Sequence, residues 1–392
     1  MCYSIPGKVI TINNNIVTVD YFGQKKRARN DFYKIAVGDY IYAQGGFVIQ
    51  KIKEKDALDI LGSWKELFFK LNEIDLRLAD KKENICEKAN SIRQAHLGNA
   101  CCIHGIIEFS NYCRNDCLYC GLRKSNSRLK RYRMSPDEII ANAEYAIKEL
   151  NFKALVLQSG EDLDFSGERL KDIVEKIMKK SPALLIVSIG ERGLDTYKNL
   201  YKAGARAVLL RFETQDPLLY ERYRPNHKLK DRLQLIRGLK EIGYLVFTGF
   251  LLGLPGQAQD GILNDIKFTA SLGPEMFSFG PFIPHPDTPL GNSAKPDINL
   301  ALDIIARTRI MYPDSRILAA TSLETLDKEN GLKSALLSGA NSLMINATYQ
   351  KYQKFYQIYP DRAGIDTPIR EKIDSVIKLL HSIGRAPADL GL

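Results

Sequence analysis

The sequence predicts an α/β protein in which a TIM-type (β/α)8 barrel follows a small all-β barrel. Two changes of pattern along the 392 residues carry this prediction. Short segments rich in β-branched residues fill roughly the first fifty positions, and strands alternate with helices from residue 101 onwards. We therefore predict a small β-barrel at 1–54, a helical linker and barrel entry at 55–100, and the larger barrel at 101–392.

The N-terminal part consists of short strand-like segments separated by turn residues. The segments are GKVITI, IVTVDY, DYIYAQ and GFVIQKI, and Asn, Asp and Gly occur between them. This pattern is typical of a small closed sheet. The charged run from Lys51 to Lys55 is predicted to be a linker, and the apolar spacing over 57–95 predicts helix.

The second part alternates apolar strands with amphipathic helices. Eight βα units in about 290 residues is the expected size of a TIM barrel. One helix start is clear, because Ser135 precedes Pro136 and Glu138 completes a capping box; another helix is predicted at about 260–271. The predicted strands have the continuous apolar character of buried parallel strands: Ile103–Phe109, Ala154–Leu157, Leu184–Ser188, Ala207–Leu210, Leu245–Leu252, Met276–Phe279, Ile317–Ala320 and Ser342–Ile345.

Composition excludes several classes of protein. No apolar run approaches the ~20 residues that span a bilayer, and the start of the chain lacks the features of a signal peptide, so we expect a cytoplasmic protein. The net charge is +10, with basic residues concentrated at Lys25–Arg29 and Arg123–Arg133. Such runs are compatible with a solvated basic surface, with nucleic acid or with an acidic partner.

The cysteines indicate metal or redox chemistry. Six of the seven lie from Cys86 to Cys120, and this odd, clustered set does not suit a disulfide framework. Cys113, Cys117 and Cys120 form a CxxxCxxC motif in the first βα loop, on the face of a TIM barrel that carries catalysis. Three thiolates can hold three irons of a cubane and leave one iron free. A zinc site would need a second half, which the sequence lacks.

Several blocks between about residues 103 and 387 resemble the radical SAM superfamily. They are IIEFSNYCRNDCLYCGLRKSN, RYRMSPDEI, VLQSGED, LLRFET, GLPGQ, GPFIPHPDTPL and YQIYP. The resemblance is closest to the HydE maturases of FeFe hydrogenases, in the biotin synthase-like group. It implies a 4Fe–4S cluster, S-adenosylmethionine (SAM), a 5′-deoxyadenosyl radical and a reductant such as ferredoxin or flavodoxin.

Arg211 and Glu213 lie two residues apart at the end of the predicted fourth strand, so we expect them to point to the same side. A charged pair inside a barrel needs partners, which makes Arg211 a candidate for binding an anionic substrate. The resemblance implies further roles. Cys113, Cys117 and Cys120 would bind the cluster. Thr321 and Tyr356 would line the substrate cavity. Contacts to SAM would come from Tyr119, Ser159, Gly160, Glu161, Glu213 and Arg232, although the last two could equally belong to structural ion pairs.

The segments MCYSIPGKV and VGDYIYAQGGFVIQKI resemble the HypC family of NiFe-hydrogenase chaperones. The resemblance implies that Cys2 carries an additional iron, although Gln44 stands where that family has histidine. Alternatively, this part docks a partner or binds RNA. It lacks the aromatic stacking motif of single-strand readers, which argues against nucleic acid.

Together the two resemblances imply a role in hydrogenase metallocofactor maturation, with other maturation proteins as partners. The expected substrate is a small molecule or iron complex, such as a cysteine-bound iron carbonyl–cyanide species. FeFe cluster assembly and synthesis or delivery of NiFe diatomic ligands both remain open, because Phe212, Ala320 and Ala347 depart from the HydE pattern near the cavity. Alternatives are a radical SAM mutase or synthase acting on a small amino acid, and a tRNA-modifying enzyme.

Overall fold

The computed structural model describes residues 5–387, including all their side chains except that of Gln259. The N-terminal part is the expected small β-barrel. Its strands close in the order β1-β2-β3-β5-β4. Their bounds are β1 Gly7–Asn13, β2 Ile16–Tyr21, β3 Gln24–Arg29, β4 Tyr40–Gln44 and β5 Phe47–Ile52.

The sequence does not predict β3, because QKKRAR contains a single apolar residue, Ala28. The strand forms because it pairs with β2 along its whole length. Phe22 and Gly23 connect the two strands with φ angles of 52° and 91°, as a two-residue hairpin turn requires. The basic run Lys25–Arg29 therefore lies on the wall of the small barrel.

The predicted linker at Lys51–Lys55 is wrong. Strand β5 continues to Ile52, and helix α1 (Glu54–Ala79) begins two residues later. The charged residues lie on the exposed sides of these two elements. Their charge therefore reflects contact with solvent and does not indicate a flexible linker. The helical stretch expected at 57–95 is present as two helices, α1 and α2 (Ile85–Leu97).

The second part is a closed barrel of eight parallel strands, as predicted. Its order is β6-β7-β8-β9-β10-β12-β14-β15, and β15 pairs with β6 to close it. Strand β16 adds beside β6, and β11 pairs with β13 above the barrel. The bounds are β6 Ala100–Ser110, β7 Ala154–Ser159, β8 Leu184–Ser188, β9 Ala207–Leu209, β10 Leu245–Thr248, β11 Leu251–Leu252, β12 Met276–Phe277, β13 Gly280–Pro281, β14 Arg316–Ala319, β15 Ser342–Asn346 and β16 Ala386–Pro387.

One predicted strand, Leu245–Leu252, is broken in two at Gly249. This glycine has a φ of 158°, and a Cβ there would lie 2.3 Å from the carbonyl oxygen of Ser278. The neighbouring strand therefore approaches too closely for any side chain at this position. The break separates β10 from β11, at the level where the barrel opens.

Helices surround the barrel, and the predicted capping box of Ser135 and Glu138 is confirmed. Within the described residues, no helix is both long and apolar enough to span a membrane. The remaining helices are α3 Pro136–Lys148, α4 Gly167–Lys180, α5 Leu194–Ala203, α6 Pro217–Tyr223, α7 Leu229–Ile242, α8 Gln259–Ser271, α9 Ile298–Met311, α10 Thr321–Leu326, α11 Gly331–Leu337, α12 Gln350–Gln353 and α13 Ile369–Ser382.

The small barrel closes the base of the large one. Tyr42, Phe47 and Ile49 from β4 and β5 belong to the buried cluster that fills the lower interior of the large barrel. Each such side chain stabilises the fold by about 1.5–3 kcal/mol when fully buried. At the hairpin tip, a Cβ on Gly45 would lie 2.6 Å from Leu184 Cδ2, at the start of β8. The N-terminal part therefore lies at the opposite end from the carboxyl ends of the strands.

Candidate active site at the mouth of the large barrel

The cysteine motif lies in the loop that follows β6, at the mouth of the barrel. Cys117 is buried, and Cys113 and Cys120 are half-buried. The loop is held from both sides, because the Glu161 N–H lies 3.4 Å from Cys113 Sγ and the Arg131 guanidinium donates to nearby carbonyl groups. Burial raises the pKa of all three thiols, so iron binding must displace their protons.

Within the described residues, no three His, Cys, Asp or Glu side chains lie close enough to share one metal ion. Cys113, Cys117 and Cys120 lie in one short loop, and in a cubane each of them would bind a different iron. The donor set therefore fits a cluster with one iron left free for another ligand.

The turn after β7 packs directly on the cysteine loop. A Cβ on Gly160 would lie 2.2 Å from the Tyr112 carbonyl oxygen and 2.9 Å from Cys113 Cβ, so only glycine permits this approach. The Ser159 hydroxyl donates to the Gly160 carbonyl at 2.6 Å. Glu161 is buried and forms an ion pair with Arg114 at 3.1 Å. The predicted cofactor segment thus lies against the predicted cluster.

Glu213 has the backbone geometry of a functional residue. Its φ of 67° is in the left-handed region that side chains rarely adopt. Its Oε2 is buried and has no hydrogen-bond partner among the described residues, although Arg211 Nε lies 3.5 Å away. Arg211 and Glu213 thus lie together, although both follow the end of β9 at Leu209 and neither lies on the strand. A buried carboxylate oxygen without a donor suits a ligand that carries one.

Arg224 supplies the complementary group, and the sequence analysis missed it. It is buried, and its Nε has no hydrogen-bond partner among the described residues. Burial raises the pKa of the Tyr119 phenol, which is half-buried. Arg224 and Glu213 lie close enough to this phenol for their charges to affect the same pKa. An unpartnered donor and an unpartnered acceptor beside the cysteine loop fit the carboxylate and amine of SAM.

The predicted SAM contact Arg232 belongs to an ion-pair network. It is buried, with its Nε 2.7 Å from Glu191 Oε1 but not aligned for a hydrogen bond. Arg224 lies 3.5 Å from the same carboxylate oxygen, and His227 lies 3.3 Å from the other one. Glu191 therefore compensates two buried arginines, a role that no local pattern in the sequence indicates.

Replacing Glu191 with glutamine is expected to destabilise the fold at neutral pH. Burial alone would raise the Glu191 pKa, but His227, Arg232 and Arg224 outweigh it and lower the pKa from 4.5 to about 2. A shift of this size corresponds to about 3 kcal/mol. Because the folded-state pKa is lowered, this stability is present above pH 4.5 and is lost as the pH falls toward 2.

The measurement is the urea midpoint of the metal-free protein at several pH values. The difference in urea midpoint between the wild type and Glu191→Gln should become smaller below pH 4.5. Glu221→Gln, which removes a more exposed pair with Lys228, is the control and should change little. An equal difference at every pH would contradict this assignment.

A polar cavity of about 140 Å³ lies inside the barrel, below the mouth. Its floor is apolar, formed by Ile106, Leu209, Leu318 and Met344. Polar residues nearer the carboxyl ends of the strands form its walls, and the segment 358–367 covers it. The polar and charged lining residues are Glu108, Gln158, Arg211, Ser278, Thr321, Ser322, Glu324, Asn346, Tyr359, Arg362, Thr367 and Lys372.

Two of the three predicted substrate residues, Arg211 and Thr321, line this cavity. Tyr356 is buried behind the wall instead, where its carbonyl accepts a hydrogen bond from Arg362 at 2.6 Å. Arg362 also makes a bidentate pair with Glu108 at 2.5 and 3.0 Å. Glu108 lies two residues before Ser110 on β6, so strand alternation could have predicted that its side chain points into the barrel. Its partner Arg362 is 254 residues away in the sequence, so no local pattern could have predicted the pair.

At the other end of the molecule, the predicted iron site cannot be examined at Cys2, which lies outside the described residues. Gln44 is buried at the end of β4, where it pairs with Phe47 in the hairpin that meets the large barrel. The residue in place of the expected histidine therefore faces the junction of the two barrels.

Three protein-family models match different parts of this chain. Residues 107–269 match the Radical SAM superfamily. Residues 1–64 match the HupF/HypC family, and residues 278–385 match the Biotin and Thiamin Synthesis associated domain. Both resemblances stated from the sequence are thereby confirmed.

Individual relatives cover most of the chain. The FeFe hydrogenase maturase subunit HydE of Thermotoga maritima is 41% identical over 305 residues, which are 78% of this chain and 87% of that protein. The 3-methylornithine synthase of Methanosarcina acetivorans is 31% identical over 353 residues, 87% of this chain and 97% of that protein.

Solved structures show the same architecture. The crystal structure of methylornithine synthase gives a TM-score of 0.67 at 26% identity, over 83% of this chain and 98% of that one. The FeFe-hydrogenase maturase HydG gives 0.61 at 20% identity, over 80% and 73%, which shows the fold alone. The superfamily implies a 4Fe–4S cluster and SAM, which the donor set at the barrel mouth fits. The chain therefore belongs to the radical SAM superfamily of enzymes, and within it to the family of HydE.

Proposed function

We propose that this chain cleaves SAM reductively and acts on a small anionic substrate in the barrel cavity, as a step in hydrogenase metallocofactor maturation. When bound, the cluster supplies the electron that cleaves SAM to a 5′-deoxyadenosyl radical. Cys113, Cys117 and Cys120 would hold the cluster. The SAM contacts would come from Tyr119, Ser159, Gly160, Glu161, Glu213, Arg224 and Arg232.

The substrate proposal rests on how little of the Arg211 guanidinium is paired with other side chains. Its side chain is 27% exposed, and its contact with Glu213 is 3.5 Å long. Arg362, the other arginine of the cavity, is occupied by Glu108. Arg211 thus has N–H groups that can bind an anion, above an apolar floor that excludes water. This suits a small thiolate or carboxylate, such as a cysteine-bound iron carbonyl–cyanide complex.

The HypC-like part would serve a separate step. It closes the base of the barrel, so a partner that binds the described part of this small barrel would meet the chain at the end away from the cysteine loop. This placement is compatible with FeFe cluster assembly and with supply of NiFe diatomic ligands. In either version, the partners would be other hydrogenase maturation proteins, which would meet the chain at its base.

A second candidate is a mutase or synthase that acts on a small amino acid. The similarity to 3-methylornithine synthase favours it, because that relative matches over 97% of its own length. The same arginine would then bind the carboxylate of an amino acid. The two candidates share the cavity and differ in what occupies it.

Replacing Arg211 with methionine is expected to uncouple SAM cleavage from the substrate. A charge-assisted hydrogen bond contributes about 1.5–3 kcal/mol, so substrate affinity should fall roughly 10- to 100-fold. SAM cleavage driven by dithionite alone should change by less than about twofold. The exposed Arg237 on α7 supplies the control variant, Arg237→Met.

The measurement is the stimulation of 5′-deoxyadenosine formation by candidate substrates under anaerobic conditions. A cysteine-ligated iron carbonyl–cyanide complex and a set of free amino acids represent the two candidate functions. Stimulation by the iron complex that disappears in Arg211→Met supports maturation, and stimulation by a free amino acid supports the second candidate. Equal stimulation of wild type and Arg211→Met would overturn the assignment of the cavity.

A further inference from the structure

The basic run Arg123–Arg133 has six arginines or lysines and no acidic residue. Half of these cations point inward and hold the site together. Arg123 makes a bidentate pair with Asp116 at 2.6 and 2.8 Å. Arg133 makes a similar pair with Asp162 at 2.6 and 2.9 Å. These arginines, with Arg131, have a structural role that accounts for their positions.

The other half point outward. Lys124, Arg128 and Lys130 are exposed, and Arg128 pairs only with Asp287 while its side chain remains 81% exposed. Lys130 and the exposed Lys354 lie 4.7 and 5.2 Å from the ring centre of Phe355. Among the described residues, Lys124, Lys130 and Lys354 have no carboxylate partner. We call Lys124, Arg128, Lys130 and Lys354 the mouth-side basic surface.

This surface is connected to the cysteine loop by short contacts. The Asn111 amide, two residues before Cys113, donates to the carbonyl groups of Lys130 and Phe355 at 2.8 and 2.7 Å. The Lys124 N–H donates to the carbonyl of Asn115, inside the motif, at 2.8 Å. The mouth-side basic surface therefore stands on the segments that enclose the predicted cluster.

Reductive cleavage of SAM requires an electron from outside the chain. The other cysteines of the described region, Cys86, Cys101 and Cys102, do not form a second metal-binding group. Cys101 and Cys102 are buried near the start of β6, at the base of the barrel. No internal relay can therefore be built from them, and a donor must approach the mouth.

We propose that the mouth-side basic surface binds the electron donor, a small acidic protein that carries a one-electron flavin or iron–sulfur centre. This inference rests on the proposed reductive cleavage of SAM. In the step, the donor centre loses one electron and the cluster gains one, and no bond forms or breaks between the proteins. Asp116 is paired with Arg123, and Asp287 is paired with Arg128 of the surface itself, so the net positive charge of the surface comes from Lys124, Lys130 and Lys354.

The expected association is electrostatic. Complementary charge steers the encounter and weakens as salt screens it, over a Debye length of about 8–10 Å. The net charge of +10 acts in the same direction. Nucleic acid would meet the same charges, but its affinity would fall far more steeply with salt, so it is included as an outcome of the test.

The test uses the full chain with Lys124→Glu, Lys130→Glu and Lys354→Glu combined. The matched control reverses three exposed lysines on α1, by Lys55→Glu, Lys65→Glu and Lys70→Glu. Formation of 5′-deoxyadenosine is measured with dithionite and, separately, with reduced flavodoxin at several concentrations and salt levels. Binding of flavodoxin to each protein is measured directly by fluorescence anisotropy, independently of turnover.

We expect the mouth-side variant to keep its dithionite-driven rate while the apparent KM and the Kd for flavodoxin rise roughly tenfold or more. The control should stay within about twofold of wild type. The ratio of flavodoxin-driven to dithionite-driven rates corrects for any loss of cluster, and the matching Lys→Gln triple variant checks for misfolding. An unchanged ratio and Kd would overturn the proposal, as would fluorescence anisotropy showing that the variant loses binding to tRNA but not to flavodoxin. Absence of product with dithionite in wild type would instead contradict the proposed function.

Discussion

Replacing Cys117 with alanine is expected to abolish SAM cleavage and to prevent stable cluster binding, while the barrel remains folded. Cys117 is the most buried of the three cysteines and lies at the centre of the motif. With two thiolates left, two of the four irons would lack a protein ligand. Loss of one small buried side chain should cost only about 1 kcal/mol of stability.

The measurement combines iron content and visible absorbance after anaerobic reconstitution with the yield of 5′-deoxyadenosine. Cys86→Ala on α2 is the matched control, since Cys86 lies on an outer helix and should leave both values unchanged. A Cys117→Ala protein that retains four irons and full turnover would contradict the ligand assignment.

Replacing Arg362 with methionine is expected to cause the largest loss of stability among single changes in the cavity. The Glu108 side chain is completely buried and that of Arg362 is 9% exposed, so the change leaves an uncompensated carboxylate inside the barrel. Breaking a buried pair in this way costs about 3–5 kcal/mol. The double variant Glu108→Gln/Arg362→Met should recover most of this loss, because it removes the charge as well.

The urea midpoint measured by circular dichroism tests this expectation. Arg128→Met breaks a single contact of 2.8 Å to Asp287 whose arginine is solvent-exposed, and should change the free energy of unfolding by less than about 1 kcal/mol. If Arg362→Met and Arg128→Met had equal effects, the pair of Arg362 and Glu108 would not be the structural support of the cavity.

The sequence predicts those features of the fold that local patterns encode. The eight barrel strands are continuous apolar runs, and each is found within a few residues of its predicted position. Strand β3 is different, because KKRAR has no apolar alternation and becomes a strand only through pairing with β2. The closure of the barrel base by Tyr42, Phe47 and Ile49 likewise depends on long-range packing that no local pattern records.

The candidate site divides along the same line. Cys113, Cys117 and Cys120 follow from spacing. Arg211 and Glu213 lie together as expected, but both follow the end of β9 and Glu213 has a φ of 67°, so strand alternation does not explain their contact. Glu191 and Arg362 are different, because their partners come from distant segments. Glu191 compensates Arg224 and Arg232, and Arg362 pairs with Glu108. Such residues become visible only when the chain has folded.

The most direct test of reductive SAM cleavage by this chain is anaerobic electron paramagnetic resonance of the reconstituted and dithionite-reduced protein, with and without SAM. We expect SAM to alter the spectrum of the cluster, because Cys113, Cys117 and Cys120 leave one iron free, and we expect 5′-deoxyadenosine then to accumulate. A reduced cluster whose spectrum is unaffected by SAM, and which yields no 5′-deoxyadenosine, would contradict SAM cleavage at this cluster.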